Sequence, residues 1–146
     1  MKLRQLSLFL ENQPGKLRGP CEALGKAGID ILAMALADTS QFGILRLVVT
    51  DWARAKSVLE ATATTVKVTE VLPVEVEDRP GGLARVLAAV DEAGLGVEYM
   101  YAFPVRSTAG QAALLFRFER PEEALQVLRL RGVQVLEPEA LLALRA

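Results

Sequence analysis

The stretch ENQPGKL, residues 11–17, recurs as EDRPGGL, residues 77–83, and the fold can be predicted from this repetition. Aligning the sequence with itself at a shift of 66 residues extends the likeness on both sides of the Pro-Gly pair. Before the pair, apolar residues stand at every second position in both halves: Leu6, Leu8 and Leu10, and Leu72, Val74 and Val76. This period is typical of a strand with one buried face. Each half is therefore predicted to open with a strand that ends at a Pro-Gly turn.

A helix is predicted after each turn, because apolar residues then recur at helical spacing. These residues are Leu17, Cys21 and Leu24 in the first half, and Leu83, Val86, Leu87 and Val90 in the second. Both helices are expected to end at an Ala-Gly pair, residues 27–28 and 93–94, since Gly suits the left-handed cap. Pro20 lies inside the first predicted helix, so that helix either begins near Pro20 or bends there.

The remaining patterns predict strand, strand, helix and strand in each half. Extended segments at 29–37 and 95–105 are followed by alternating segments at 45–49 and 114–118, with three additional residues around 107–110 in the second half. A second helix follows in each half, and Pro121 suits the first turn of the later one. Short strands are expected at 66–69 and 133–135, and a helical tail at 138–146.

The order β-α-β-β-α-β, twice, places the chain in the α+β class, as two tandem ferredoxin-like units with antiparallel sheets. The expected domains are residues 1–70 and residues 71–146, the second with the helical tail. Both helices of such a unit cover one sheet face, and a unit of this size is marginal alone. The other face is expected to pair with the other half or with a second chain, so a homodimer is expected.

Composition excludes several classes of function. The chain has no histidine and one cysteine, which removes histidine acid-base catalysis, nucleophile pairs that need histidine, and zinc sites of His and Cys. The 17 basic and 18 acidic residues nearly cancel, so neither nucleic acid nor a membrane is an expected partner. We expect a cytoplasmic protein that is not an enzyme and has no metal or cofactor, since no leader or apolar span is evident.

The doubled turn is itself a candidate binding site. The first N-H groups of a helix have no partner within the helix and lie at the positive end of its dipole, where a carboxylate can bind. Gly allows close approach to the backbone, and Asn12 or Asp78 can hold a polar ligand. The same residues also serve as ordinary turn and capping residues. Sequence patterns leave both roles open.

The N-x-P-G-x-L stretch, the helix ending A-G-I-D-I at 27–31, and their counterparts D-R-P-G-G-L and A-G-L-G-V at 93–97 resemble the ACT domain. The resemblance covers the chain as two tandem copies, similar to small stand-alone proteins made of two ACT domains. It implies a module of amino-acid metabolism that senses a free amino acid or similar small carboxylate at an interface between units. A metabolic enzyme is a further possible partner.

The resemblance also implies the site residues, near the first turn and the start of the second strand. The family's turn Asn falls on Asn12, and its second polar position falls on Asp30, which would pair with the ligand's ammonium while its carboxylate lies near Gly15 or Lys16. In the second copy these positions are Asp78 and Gly96, and Gly96 departs from the pattern. The candidate ligand-binding set is Asn12, Gln13, Pro14, Gly15, Lys16, Leu17, Asp30 and Ile31, with Asp78, Pro80, Gly81, Gly82, Leu83 and Tyr99 in the second half.

The aromatic residues Tyr99, Tyr101 and Phe103 are predicted to share one strand face, as a pocket wall or as ordinary packing. Two other functions of this topology are disfavoured. An acylphosphatase-like hydrolase would need an anion loop with a catalytic Arg, and an RNA-recognition module would need basic and aromatic residues on its third strand. An interaction module that senses nothing, or a regulatory subunit of a metabolic enzyme, remains an alternative.

Overall fold

The computed structural model describes residues 2–38, 41–106 and 110–145. The chain divides into a first unit, Arg4–Thr69, and a second unit, Glu70–Ala146 with Met1–Leu3. The elements, in chain order, are β1 (Leu3–Glu11), α1 (Arg18–Lys26), β2 (Ile31–Asp38), β3 (Phe42–Val49), α2 (Trp52–Glu60), β4 (Thr65–Glu77), α3 (Gly82–Glu92), β5 (Val97–Phe103), β6 (Gln111–Phe118), α4 (Pro121–Leu130) and α5 (Pro138–Ala143). The predicted α+β class with two tandem ferredoxin-like units is confirmed. No helix within the described residues is long and apolar enough to cross a bilayer.

Strand β4 differs from the prediction, which had one strand at 66–69 and a separate strand through Leu72, Val74 and Val76. The structure has a single strand of 13 residues, Thr65–Glu77. No Gly or turn-forming pair stands between Thr69 and Val71, and β-branched residues run through the join. Nothing therefore breaks the extended backbone where the two repeats meet.

In the first unit the strand order is β2-β3-β1-β4, and β4 contributes residues 65–69. β1 pairs antiparallel with β3, with Leu6 opposite Leu47 and Leu8 opposite Leu45. β2 pairs antiparallel with the other edge of β3. The alternating leucines of β1 and β3 are buried against Leu24 of α1 and Leu59 of α2. The predicted buried strand face is confirmed.

The second unit repeats this arrangement in the order β4-β6-β5. Leu72 pairs with Phe116 and Val74 with Leu114, and these residues pack against helices α3 and α4. The predicted strand at 133–135 is shorter than expected, because only one bridge, Val74 to Val135, is formed. Two backbone hydrogen bonds extend the contact, from the Glu75 N-H to Gln134 at 2.9 Å and from the Leu136 N-H to Pro73 at 2.8 Å.

Helix α1 begins at Arg18, two residues before Pro20. Pro20 is therefore in the first turn, where a backbone N-H would have no helical partner, and of the two predicted alternatives the helix that begins near Pro20 is the one observed. The predicted caps are confirmed, because Gly28 and Gly94 have φ of +71° and +67°. Pro121 is at the start of α4, also as predicted. Of the additional residues around 107–110, residues 107–109 lie outside the described residues, and β6 begins directly after Gly110.

On the sheet face away from the helices, the first unit buries two polar side chains. Gln5 and Ser7 of β1 are 0% and 6% exposed, and the Gln5 Nε2 donates to the Ser7 Oγ at 3.0 Å. In the second unit the corresponding face carries Tyr99, Tyr101 and Phe103 of β5. The rings of Tyr99 and Tyr101 stack with centroids 6.5 Å apart, which confirms that these side chains share a face.

Candidate functional site

The two Pro-Gly turns begin with the same backbone. Gly15 and Gly81 have φ of +88° and +87°, values that favour glycine because they are strained for residues with a Cβ. The Gln13 N-H donates to Glu11 at 2.9 Å, and the Arg79 N-H donates to Glu77 at 3.0 Å. The repetition seen in the sequence is therefore a repetition of backbone conformation.

The second turn is closed at the residue after this glycine. Helix α3 begins at Gly82, whose N-H donates to the Arg79 carbonyl at 3.0 Å. Gly82 is buried, and a Cβ added to it would lie 2.0 Å from the carbonyl oxygen of Glu77. Only a residue without a side chain lets the helix start directly against the end of the strand.

The first turn has Lys16 at the position of Gly82. The Lys16 N-H makes the equivalent hydrogen bond, to the Gln13 carbonyl at 3.3 Å, so the two turns differ in their side chains and in where the helix begins. A side chain in the closed position would clash with the strand, and α1 begins at Arg18, two residues later than α3 does in its repeat. Within residues 2–38, 41–106 and 110–145, no acceptor is recorded for four amides of this turn, those of Gly15, Leu17, Arg18 and Gly19. These amides are available to a ligand.

Two open depressions flank the first turn, each of about 390 Å³. The β2-side depression is lined by Leu10, Glu11, Asn12, Gln13, Pro14, Gly15, Leu17, Leu36 and Gly43. The α2-side depression is lined by Phe9, Leu10, Glu11, Gly15, Lys16, Gly19, Pro20, Thr62, Ala63 and Thr64. The structure thus brings five of the predicted residues into the β2-side depression and places Lys16 on the other side of the turn.

Asp30 and Ile31 stand apart from these depressions. The backbone of Asp30 is tied to Thr50, whose N-H donates to the Asp30 carbonyl at 3.1 Å and whose Oγ1 accepts from the Asp30 N-H at 3.2 Å. The Asp30 side chain is exposed at the start of β2. Neither residue lines the β2-side or the α2-side depression.

The predicted residues of the second repeat do not converge in the same way. A depression of about 260 Å³ next to α3 includes Gly82 but none of Asp78, Pro80, Gly81 and Leu83. At Gly96, the counterpart of Asp30, a Cβ would lie 3.0 Å from the Glu119 carboxylate. Tyr99 is half-buried on the face away from the helices and does not line this depression.

Charge also separates the two turns. In the second turn the Glu77 carboxylate is bound by Arg85, with Nη1 to Oε1 at 2.9 Å, and by Arg79. Its first-unit counterpart, Glu11, lines both depressions but was absent from the predicted set. The signal for Glu11 was present in the sequence, since both quoted stretches begin with glutamate and only the second continues with arginine.

Comparisons with known proteins agree with a chain built from two copies of one domain. A family model described as an ACT domain pair matches residues 1–145. The crystal structure of protein BT0572 from Bacteroides thetaiotaomicron is 33% identical, with a TM-score of 0.88 over 97% of this chain and 96% of that one. No curated protein matches the sequence.

Two further solved structures share the fold at lower identity. The ligand-free regulatory subunit of aspartate kinase from Thermus thermophilus is 18% identical, with a TM-score of 0.60 over 87% of this chain and 91% of that one. A structure of aspartokinase alpha and beta subunits is 14% identical, with a TM-score of 0.55 over 88% and 92%. With a family model that spans nearly its whole length, this chain belongs to the ACT domain pair family.

Proposed function

We propose that this chain is a regulatory protein without catalytic activity, which binds a free amino acid or similar small carboxylate at the first Pro-Gly turn. One observation carries the proposal: the amides of Gly15, Leu17 and Gly19 have no recorded acceptor in the described structure, and these residues line the two depressions. Amides at a helix start bind carboxylates well, because their partial positive charges add to the helix dipole.

The proposed ligand places its carboxylate on the backbone near Gly15 and Lys16. The amide side chain of Asn12 is exposed and lines the β2-side depression, so it can hold a polar group of the ligand. Leu10, Leu17 and Leu36 supply an apolar wall for a ligand side chain. A volume of about 390 Å³ lies in the range of small-molecule sites, which begins near 300 Å³.

A homodimer is part of the proposal, because the predicted residues Asp30 and Ile31 do not line the depressions of their own chain. We assign their contribution to a second copy. Edge strand β2 offers a surface for it, with Met34 and Leu36 52% and 58% exposed. A ligand held by both copies would favour one arrangement of the dimer, which is how occupancy becomes a signal.

A metabolic enzyme is the proposed recipient of that signal, in the cytoplasm. The support is the fold shared with two regulatory subunits of aspartate kinase, which are 18% and 20% identical to this chain. An interaction module that binds an enzyme and senses nothing is the second candidate. The exposed apolar side chains of β2 favour it equally, so ligand binding decides between the two.

Thermal-shift screening against the twenty amino acids tests the proposal. A ligand at one hundred times its dissociation constant should stabilise the protein by about 2.7 kcal/mol. Asn12→Ala should abolish that stabilisation, whereas Asp78→Ala, the same change in the second turn, should keep it. The sole tryptophan, Trp52, lies in the first unit and reports binding there by fluorescence. Absence of stabilisation by any amino acid at millimolar concentration would favour the interaction module.

A further inference from the structure

We propose that Glu11, rather than Asp30, binds the protonated amine of the ligand, so that the first turn selects amino acids over carboxylates that lack an amine. This inference rests on the proposed function and names the group that recognises the second charge of the ligand. Glu11 is the last residue of β1. It is exposed and lines both depressions beside the turn.

In the second unit, the carboxylate at the equivalent position binds cations. Glu77 occupies the same place in its repeat, at the end of β4 and before the same Pro-Gly turn. The Arg85 guanidinium approaches it from the first turn of α3, with Nη1 2.9 Å from Oε1, and Arg79 binds the other carboxylate oxygen. These two guanidinium groups stand in for the cation that the first turn would take from its ligand.

Both arginines are missing from the first repeat. Gln13 replaces Arg79 and Gly19 replaces Arg85, so the repeat keeps the carboxylate and loses the two internal cations. In the described part of the chain no ion pair involves Glu11. The Glu11 carboxylate, beside an open depression, can therefore bind a cationic group of a ligand. An ammonium group provides the positive charge and three hydrogen-bond donors.

The groups for the opposite charge lie in the same short segment. The amides of Gly15 and Leu17 and the ammonium of Lys16 follow Glu11 by four to six residues, on the other arm of the turn. No ion pair of Lys16 is recorded among the described residues either. The first turn therefore presents one negative group and several positive ones, which matches the charges of an amino acid at neutral pH.

Isothermal titration with matched ligand pairs tests this inference. Each amino acid that binds is compared with its deamino acid: succinate for aspartate, isocaproate for leucine, hydrocinnamate for phenylalanine. We expect the amino acid to bind wild-type protein about tenfold to a hundredfold more tightly, the usual contribution of a hydrogen bond between charged groups. Glu11→Gln should reduce that preference to about threefold or less, while Glu77→Gln should leave it unchanged.

A second variant keeps Glu11 and blocks it. Gln13→Arg restores the cation that Glu77 has in the other repeat, and it should weaken amino-acid binding about tenfold while the deamino acid is affected little. Thermal unfolding of each variant checks that the fold is retained. This variant separates the loss of the carboxylate's charge from a local structural effect of replacing Glu11.

The outcomes are distinct. Equal binding of the two ligands to wild-type protein, or an unchanged preference in both Glu11→Gln and Gln13→Arg, would overturn the role of Glu11 and leave the proposed function standing. Equal weakening of both ligands by Glu11→Gln would assign Glu11 a structural role and also contradict the inference. If neither amino acids nor their deamino acids bind wild-type protein, the proposed function itself fails, and this inference fails with it.

Discussion

Gly82 lies directly on the backbone of Glu77: a Cβ built on Gly82 would be 2.0 Å from the Glu77 carbonyl oxygen. Side chains do not approach backbone oxygen atoms so closely, so helix α3 can begin at this point only with glycine. The first repeat has Lys16 there, and its helix begins two residues later. One residue type thus accounts for a closed turn in one unit and an open turn in the other.

Gly82→Ala should destabilise the protein by about 2–4 kcal/mol, because the new methyl group forces the start of α3 away from β4. The matched control is Gly25→Ala in α1, where an added Cβ meets no heavy atom within 4 Å. That change should stabilise by about 0.5–1 kcal/mol, the difference in helix propensity. Urea unfolding measures both; a loss below about 0.5 kcal/mol at Gly82 would contradict the close contact.

Ser7→Ala should cost about 1–3 kcal/mol, because the Ser7 Oγ accepts a hydrogen bond from the fully buried Gln5 amide. Ser57→Ala is the control, since the Ser57 Oγ donates to the Ala53 carbonyl on an exposed helix surface. That change should alter stability by less than about 0.5 kcal/mol. Equal effects at the two serines in chemical unfolding would argue that burial of the Gln5–Ser7 pair is energetically unimportant.

Asp51→Ala should destabilise the first unit by about 1 kcal/mol, because Asp51 caps α2 by accepting from the Arg54 N-H at 3.0 Å. Asp91→Ala removes an exposed aspartate inside α3, for which no side-chain hydrogen bond is recorded in the described residues. This control should change stability little. Thermal unfolding, followed by Trp52 fluorescence and by circular dichroism, measures the stability of both variants. A loss of stability in Asp51→Ala alone is due to the cap and not to the removal of a negative charge.

Leu36→Glu should convert a homodimer to monomers, because Leu36 is exposed on the edge strand β2 that the proposal assigns to the dimer. A charged side chain on an edge strand opposes pairing with another chain. Ala102→Glu is the control, at the equivalent exposed position of edge strand β5. Sedimentation equilibrium measures the oligomeric state of both variants and of the wild-type protein. If the wild-type protein is already monomeric, or if both variants respond identically, β2 is not the dimer interface.

Local patterns predicted the fold closely. The alternating leucines of β1 face the core because a strand has a period of two, and the Ala-Gly pairs end the helices because Gly28 and Gly94 take positive φ. The prediction of two separate strands where the repeats meet was wrong. Turn signals limit a strand only where they exist, and none stands between Thr69 and Val71, so the two predicted strands form one.

The candidate site was less predictable. The sequence marked the first turn, but Asp30 lies away from its depressions, and Glu11 was missed although the quoted stretch begins with it. Lining a depression depends on which segments meet in space. A motif can report which residues belong to a turn but cannot report which of them a neighbouring strand or helix leaves accessible.

By itself, then, the sequence determined the doubled β-α-β-β-α-β architecture and the two Pro-Gly turns, because hydrophobic period and glycine or proline backbone preferences act over a few residues. The difference between the two turns appears only in three dimensions. Gly82 fits against the Glu77 carbonyl and arginines neutralise that glutamate, while Lys16 takes the equivalent place in the open turn, where Glu11 has no recorded ion pair among described residues. That difference depends on contacts between a helix start and a strand end, whose spacing is set by packing of the whole unit.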